Sequence, residues 1–253
     1  MKLLLILSYL GTDFYGYQVQ TDKRTVQGEL TRASRDLFGF DCDITGCSRT
    51  DTGVHANMFC ATVTNKGEDH LDTHIDISRI AGAMNAHLPC DISVLEVKEV
   101  NDSFHPRYDV KYKEYVYRIY NGRTRDPFED GRSWHVPYTI FDSNGINRMQ
   151  AAADKLVGEH DFTSFMASGS SVSSTVRNVK YAEIEKKGDV VLFKIAADGF
   201  LYNMVRIITG TLVDVARGKI DPDDIENIIR AADRRLAGAT APPQGLYLNK
   251  VEY

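Results

Sequence analysis

Asp51 is the side chain of this sequence with the clearest chemical potential. It lies two residues after Arg49 and two residues before Gly53, in a stretch that reads G-C-S-R-T-D-T-G-V-H-A over residues 46–56. A carboxylate held in a tight turn beside a fixed positive charge can act as a nucleophile. Asp and Gly also serve the geometry of plain turns between strands. The short R-T-D-x-G string alone favours the turn, so the rest of the chain has to decide.

A second candidate region is rich in basic and aromatic side chains. Its basic residues are Arg107, Lys111, Lys113, Arg118, Arg123 and Arg125, and its tyrosines are Tyr108, Tyr112, Tyr115, Tyr117 and Tyr120. The net charge of the chain is −5, but a local basic and aromatic band on an acidic body fits an extended anion. Tyr115 lies in the middle of this predicted strand. It either packs across the strands or stacks on a flipped-out base while Lys111 and Lys113 meet phosphates.

A third candidate is Arg206, on a predicted helix. The apolar stripe of that helix runs through Leu201, Val205, Ile208 and Leu212. At about 100° per residue, Arg206 falls roughly 140° from the stripe. Without further context, a solvated arginine is the more ordinary interpretation of such a position.

Several classes of site are excluded by missing motifs. The cysteines have no C-x-x-C spacing and no paired histidines, so we predict no metal site and expect Cys42, Cys47 and Cys60 to be buried hydrophobes. The glycine-rich nucleotide motifs, G-x-S-x-G and H-E-x-x-H are absent, which predicts no cofactor. The apolar run after Lys2 is predicted to be a buried strand rather than a signal peptide, with no membrane span and a cytoplasmic location.

The periodicity of the chain predicts an α+β fold. Strands are predicted over residues 2–10, 42–47, 58–64, 92–100, 109–120, 176–186, 189–197 and 246–253. Helices are predicted along residues 26–37, over 77–87, from Ser143 as cap, from Leu201 to Val215, and from Asp221-Pro222. The most natural seam is His105-Pro106, giving halves 1–105 and 106–253. Two similar halves with mostly antiparallel strands and no flexible linker should share one mixed sheet or a common central cleft.

The longer string R-T-D-x-G-V-H-A resembles the catalytic signature of TruA-type tRNA pseudouridine synthases. Ser48 stands where that family usually has glycine, a small-for-small change. The resemblance extends over nearly the whole chain. It includes Y-x-G-x-x-F-x-G-x-Q-x-Q from Tyr9, T-V-Q-G-E-L from Thr25, F-H-P-R from Phe104, K-E-Y-V-Y from Lys113, F-L-Y-N-M-V-R from Phe200 and A-P-P-x-G-L-x-L from Ala241. This many motifs in the same order make coincidence very improbable.

The resemblance implies a cofactor-free isomerase that converts uridine to pseudouridine at positions 38, 39 and 40 of the tRNA anticodon stem-loop, with an RNA-binding cleft. It assigns catalysis to Asp51. It pairs Arg206 with that carboxylate, and a guanidinium in a dry pocket keeps an aspartate ionised. It places Tyr115 against the target uracil.

Further RNA contacts follow from the same comparison. Arg49 could bind phosphate and help to extrude the target nucleotide, and Arg107 at the seam is a candidate RNA contact, as is Lys113. His55 could contact RNA, although a structural role is at least as plausible. The family also implies a homodimer.

Two rival functions remain open on sequence grounds. A non-catalytic RNA-binding module of similar fold would keep the basic and aromatic strand without needing Asp51 and Arg206. A hydrolase acting on a small molecule through Asp51 would need a water-activating acid or a metal, for which the sequence offers no candidate.

Overall fold

The computed structural model describes residues 1–137, 141–169 and 172–253. In chain order the strands and helices are β1 (Lys2–Tyr9), α1 (Val26–Phe38), β2 (Cys42–Gly46), β3 (His55–Asn65), α2 (Ile77–His87), β4 (Ile92–Val100), β5 (Tyr112–Tyr120), β6 (Trp134–His135), α3 (Ser143–Asp154), β7 (Gly158–Asp161), β8 (Val176–Lys187), β9 (Val190–Ala197), α4 (Met204–Ala216), α5 (Asp224–Ala231) and β10 (Leu246–Glu252). No helix in the described ranges is long and apolar enough to cross a membrane.

Contacts along the chain define two compact units. The first is Met1–Lys111 with Tyr247–Tyr253, and the second is Tyr112–Leu246. This division differs from the predicted halves in the position of the seam and in the C-terminal strand. The strand belongs to the first unit because Tyr247 and Leu248 pair in parallel with β3. The two-domain organisation predicted from the sequence stays a prediction.

In the first unit, β1 lies between β3 and β4 and is antiparallel to both. β2 adds to β3 on the same antiparallel pattern. The residues from Leu3 to Leu7 are all buried. A strand covered on both faces needs apolar residues at successive positions, which explains the continuous apolar run near the N-terminus. The prediction of a buried first strand is therefore confirmed.

Helix α1 has a defined start and end. The side chain of Thr25 accepts a hydrogen bond from the amide of Gly28, and the helix ends at Gly39, whose φ is 82°. Glycine adopts the left-handed backbone conformation at a helix C-terminus without a steric penalty. Val26, Leu30 and Ala33 are buried, as the predicted apolar stripe requires.

In the second unit, β9 lies between β5 and β8 and is antiparallel to both, and β7 extends the sheet beyond β8. β6 pairs in parallel with β5. Helix α4 is buried along most of its length. At Gly210 a Cβ atom would lie 1.7 Å from the carbonyl oxygen of Ala239. Glycine is therefore required there, because backbone packs directly against this helix.

Most predicted elements are present, with shifts at their ends. β3 begins at His55 rather than at residue 58, and β5 begins at Tyr112 rather than at residue 109. The cap of α3 is Asp142, whose side chain accepts from the amide of Gly145, so the predicted cap Ser143 is wrong. Helix α4 begins at Met204 because Asn203 before it has a left-handed φ of 60°.

The short strands β6 and β7 were not predicted, because two to four residues carry too little periodicity to be recognised. Helix α5 begins at Asp224, after Asp221 and Pro222. The prediction of a mixed α/β fold with mostly antiparallel strands is confirmed. The likeness of the two halves and the central RNA-binding cleft stay predictions.

Candidate active site

Asp51 lies on the loop between β2 and β3 in the first unit and is half-buried. The residue before it is held by both its backbone and its side chain. The carbonyl of Thr50 accepts from the amide of Tyr17 at 3.1 Å, and its buried hydroxyl is hydrogen-bonded to the hydroxyl of Tyr9 at 2.8 Å. After Asp51 the chain turns at Gly53, whose φ is 79°. The backbone that carries the carboxylate is therefore fixed on both sides.

The loop after β1 supplies most of this support. The amide of Gly53 donates to the carbonyl of Phe14 at 3.3 Å. A Cβ atom at Gly11 would lie 1.9 Å from the carbonyl oxygen of Val54, and one at Gly16 would lie 2.6 Å from that of Thr50. These two glycines let the first loop lie directly on the Asp51 loop.

His55 is fully buried at the start of β3. Its Nδ1 accepts a hydrogen bond from the amide of Gly11 at 2.9 Å, and its ring stacks on Tyr247 with centroids 4.5 Å apart. These are the contacts of a structural histidine that ties the first loop and β10 to β3. An RNA contact by His55 would need an exposed ring, and the ring is fully buried here.

Arg49 and Arg107 are both exposed in the first unit. Arg107 sits on an ordered turn, because His105 Nδ1 accepts from the amides of Arg107 and Tyr108 at 3.1 and 3.3 Å. The rings of His105 and Tyr108 stack with centroids 4.2 Å apart. Both arginines are exposed to solvent, and Arg107 is presented from a fixed turn, which suits contacts with phosphate.

Tyr115 lies on β5 in the second unit and is 7% exposed. Its ring meets Phe200 edge to face, with centroids 5.0 Å apart and planes at 82°. Lys113, two residues earlier on the same strand, is half-buried and opposite Ala197 on β9. The aromatic pair fixes the tyrosine ring. Tyr115 therefore packs across the strands, which is one of the two roles that the sequence allowed. Its contact with a base stays a prediction.

Arg206 lies in the first turn of α4 and is half-buried. Its Nε donates to the carbonyl of Ala241 at 2.8 Å, and its Nη1 donates to Oδ1 of Asn203 at 2.7 Å. The amide of Ala241 in turn donates to the carbonyl of Arg206 at 3.1 Å. The carbonyl of Ala241 and the side-chain oxygen of Asn203 thus hold the guanidinium in position.

Tyr117 supports the same segment from β5. Its hydroxyl donates to the carbonyl of Pro242 at 2.6 Å, next to Ala241. Burial raises the pKa of Tyr117, and the positive charge of Arg206 offsets part of that rise. The tyrosine is therefore a neutral donor that anchors the chain to which Arg206 is bound.

Sequence reasoning missed several of these supporting residues. The sequence placed Asn203 on the same side of the predicted helix as Arg206, three residues before it, but did not predict the hydrogen bond between them. Tyr9 and Thr50 are far apart in the chain, so nothing in the sequence indicates the hydrogen bond between their hydroxyl groups.

The candidate catalytic residues are divided between the two units. Asp51 lies in the first unit, and Tyr115 and Arg206 lie in the second. The predicted pairing of Asp51 with Arg206 stays a prediction.

One group of side chains in the described residues could share a metal ion. The ligand atoms of Glu68, His70 and Asp72 lie within 4.8 Å of one another on the surface. Asn65 already donates to Glu68 and Asp72 at 2.9 and 3.2 Å.

The four cysteines are free thiols. Cys42, Cys47 and Cys60 are buried, as the sequence predicted, and Cys90 is exposed.

Comparison with known proteins gives the family. The model of the family described as "tRNA pseudouridine synthase" matches residues 5–109 and 152–253. The match contains Asp51, Arg49, Arg107 and Arg206, whereas Tyr115 and Lys113 lie in the segment outside it.

Relatives named "tRNA pseudouridine synthase A" match at full length. That of Thermoanaerobacter sp. (strain X514) is 43% identical over 252 residues, covering 100% of this chain and 99% of the relative. That of Bacillus licheniformis is 44% identical over 257 residues, with the same coverage. That of Acetivibrio thermocellus is 43% identical over 251 residues, covering 98% of both chains. The chain belongs to the tRNA pseudouridine synthases, a family of isomerases.

Proposed function

We propose that this protein converts uridine to pseudouridine at positions 38, 39 and 40 of the tRNA anticodon stem-loop. It acts in the cytoplasm, as a homodimer and without a cofactor. The observation that carries the proposal is the fixed backbone around Asp51, because the residues that fix it lie within the family match. A carboxylate so fixed is prepared to act on one position of a bound nucleotide.

The reaction is an isomerisation of one nucleotide. The N1–C1′ bond breaks, the uracil rotates, and C1′ rejoins the base at C5. The proton on C5 leaves to solvent, and N1 gains a proton, so atoms and charge balance. Since these atoms are unreachable in a stacked base, the nucleotide has to leave the stack first, which costs a few kcal/mol.

Asp51 is the essential group of this mechanism. Attack of its carboxylate on C1′, attack on C6 of the uracil, and removal of a ribose proton to give a glycal are three possible routes. All three need an ionised carboxylate near the sugar. Its Thr50 neighbour is locked to Tyr9 and Tyr17, which limits the positions that the carboxylate can reach.

Arg206 is the positive partner in the proposed mechanism. A guanidinium beside Asp51 would favour its ionised form and hold it toward the sugar. Within the second unit, the carbonyl of Ala241 and the side-chain oxygen of Asn203 accept from this guanidinium and hold it in place. Tyr115 is proposed to hold the uracil, and its ring is already oriented by Phe200.

Contacts with tRNA phosphates are assigned to a small set of basic side chains. Arg49 and Arg107 are exposed, and Lys113 is half-buried on β5. Because the chain as a whole has a net charge of −5, affinity has to come from such local charges. Affinity for tRNA should therefore fall with salt, with a shallow slope that reports few phosphate contacts.

The first test is tritium release from tRNA that carries tritium at uracil C5. The parent protein should release tritium and form pseudouridine at positions 38 to 40. Asp51→Asn should bind tRNA nearly as well and release none. Asp102→Asn is the matched control, because Asp102 is an exposed aspartate of the same unit, and it should behave as the parent does. Turnover by Asp51→Asn near the parent rate would remove Asp51 from the mechanism.

Binding and product measurements on the parent protein separate the rival functions. Tight tRNA binding by the parent without tritium release would favour a non-catalytic RNA-binding module. Release of a hydrolysis product from a small molecule would favour a hydrolase. Arg206→Met should reduce turnover more than binding, and an equal loss of both would make Arg206 an RNA anchor only.

The proposed homodimer has its own test. Sedimentation at micromolar protein concentration should give about twice the monomer mass of 28.4 kDa. A monomer under these conditions would refute the dimer and leave the isomerase assignment to the tritium assay.

A further inference from the structure

A loop of the second unit carries features that the isomerase mechanism does not use. It spans residues 121–133 between β5 and β6, and its ends are held together. Tyr120 pairs with His135, and the side-chain amide of Asn121 donates to the carbonyl of Val136 at 2.6 Å. The loop lies outside the residues matched by the family model. A surface loop with joined ends on a rigid sheet is a common place for binding sites.

The loop borders a cavity of about 500 Å³. Its lining includes Tyr120, Arg125, Glu129, Ser133, His135 and Gln244. The rings of Tyr120 and His135 are 5.5 Å apart at an angle of 34°. A cavity of this size accommodates a molecule of mononucleotide size. The rings of Tyr120 and His135 suit a planar base, and the rest of the lining is mostly polar and includes Asp126 and Asp130.

Glu129 is the most informative side chain of this cavity. Its carbonyl accepts from the amides of Arg132 and Ser133 at 3.0 and 3.1 Å, so its backbone is fixed. Its Oε1 accepts from Nη2 of Arg118 at 2.9 Å. Its Oε2 is buried, and no donor among the described residues reaches it. A buried carboxylate oxygen without a donor is costly, and a ligand that supplies an N–H relieves that cost.

The rim of the loop has the other groups that single-stranded RNA requires. Arg123 and Arg125 are exposed, and in the part of the chain that the structure describes neither forms an ion pair. Phe128 is 83% exposed on an ordered turn, since its amide donates to the Asp126 side chain at 2.9 Å. Exposed arginines bind phosphates, and an exposed aromatic ring on a fixed backbone is a platform for a base.

We propose that the 121–133 loop and its cavity form a second RNA site, which takes one unpaired nucleotide whose base has an exocyclic amino group. The amino group donates to Oε2 of Glu129, the phosphates lie at Arg123 and Arg125, and the neighbouring base stacks on Phe128. The proposal rests on the proposed function, because it assumes that tRNA is the substrate.

The chemistry of Glu129 decides which bases fit. Adenine, cytosine and guanine present an amino group, which a carboxylate accepts. Uracil presents one N–H on its pairing edge, between two carbonyl oxygens that a carboxylate repels. The site therefore rejects uracil, whereas the isomerase reaction requires it. The two RNA sites of this protein would thus differ in base preference.

The test measures binding of fluorescein-labelled RNA hexamers to the full chain by anisotropy. We expect A6 and C6 to bind about tenfold tighter than U6, which is the usual effect of one charge-assisted hydrogen bond. Equal binding of A6, C6 and U6 by the parent protein would overturn the proposal.

Glu129→Gln tests the hydrogen bond itself. The guanidinium of Arg118 has no acceptor, so the new amide must turn its oxygen toward Arg118 and its NH₂ toward the position of Oε2. A donor then replaces an acceptor, and the preference for A6 over U6 should disappear or reverse. If Glu129→Gln has the same Tm as the parent protein and still binds A6 more tightly than U6, Glu129 does not recognise the base and the proposal fails.

Two surface variants keep the test decisive even if Glu129→Gln does not fold. Phe128→Ala and Arg125→Ala should each weaken A6 binding several-fold. Leu236→Ala and Arg230→Ala are the matched controls, because these side chains are an exposed apolar residue and an exposed arginine of the same unit. Test variants that bind A6 as tightly as the controls would refute the site.

The outcome is separable from that of the isomerase assignment. Asp51→Asn should keep the hexamer preference in full while losing tritium release. If the parent releases no tritium but still prefers A6, the second site stands and the isomerase proposal falls. If tritium is released without any hexamer preference, the reverse holds.

Discussion

Asn203 provides a direct test of how Arg206 is positioned. It precedes α4 with φ 60° and ψ 10°, and its Oδ1 accepts from Arg206 Nη1 at 2.7 Å. It therefore has two tasks, a left-handed backbone and an acceptor for the guanidinium. Substitution by alanine removes both, whereas substitution by glycine keeps the backbone and removes only the acceptor.

The two effects have separate magnitudes. A left-handed backbone costs a residue such as alanine about 1–2 kcal/mol. For a protein of this size, about 1 kcal/mol lowers Tm by roughly 2–4 °C. The hydrogen bond is made to a charged but half-exposed group, so its contribution is taken as about 1 kcal/mol, below the range of about 1.5–3 kcal/mol for bonds to charged groups. If that energy serves positioning in the transition state, its loss reduces kcat about fivefold.

Both variants lose the hydrogen bond, so both should lower kcat by the same factor and both should lower Tm. Asn203→Ala should lower Tm further than Asn203→Gly, because only alanine strains the left-handed backbone. The assay is steady-state tritium release over a range of tRNA concentrations, which gives kcat and KM, with thermal unfolding measured on the same samples. Parent-like kcat in Asn203→Gly would refute the argument that this amide positions Arg206. A loss confined to KM would show that it serves tRNA binding instead.

Three further predictions follow from the first loop and the buried tyrosines. Gly11→Ala should strongly destabilise the protein and abolish turnover, because the new Cβ would lie 1.9 Å from the carbonyl oxygen of Val54. Urea unfolding measures the loss of stability, and a stability equal to that of the parent would contradict the prediction. His55→Ala should lower the free energy of unfolding by about a few kcal/mol. The tRNA affinity of the folded fraction should be unchanged, since the ring of His55 is fully buried. A loss of tRNA affinity without a loss of stability would show that His55 does contact RNA. Burial raises the pKa of Tyr17 and Tyr117, so both stay protonated in the folded protein at a pH where the unfolded chain ionises. Stability should then be present below a pH of about 10 and lost as the pH rises further; urea midpoints between pH 8 and 11 measure it, and Tyr117→Phe should weaken the dependence.

The sequence predicted the long elements well because their periodicity is strong. The helix Ile77–His87 and the strand Ile92–Val100 have the predicted bounds. Prediction failed where tertiary contacts set the bounds. Asn203 delays the start of α4 through a left-handed φ. The C-terminal strand joins the first unit because Tyr247 pairs with His55, which no local pattern could reveal.

The candidate site followed the same rule. The residue types of Asp51, Tyr115 and Arg206 stood out from their motifs and from their positions on predicted elements. Their supports did not, because a hydrogen bond such as that between Tyr9 and Thr50 depends on two distant segments meeting. His55 shows the converse, since its place in a conspicuous motif suggested RNA contact while its surroundings are those of a packed core residue.

The close approach of residues 11–17 to the Asp51 loop has a consequence for protein engineering. Gly11, Gly16 and Tyr17 lie directly against the Asp51 loop, and they belong to the segment that follows β1, the strand paired with β3. A transplanted R-T-D-x-G string would therefore adopt whatever turn its new host imposes. The support of the Asp51 loop comes from β1, the loop after it and β3, and a transplant of the motif alone would leave that support behind.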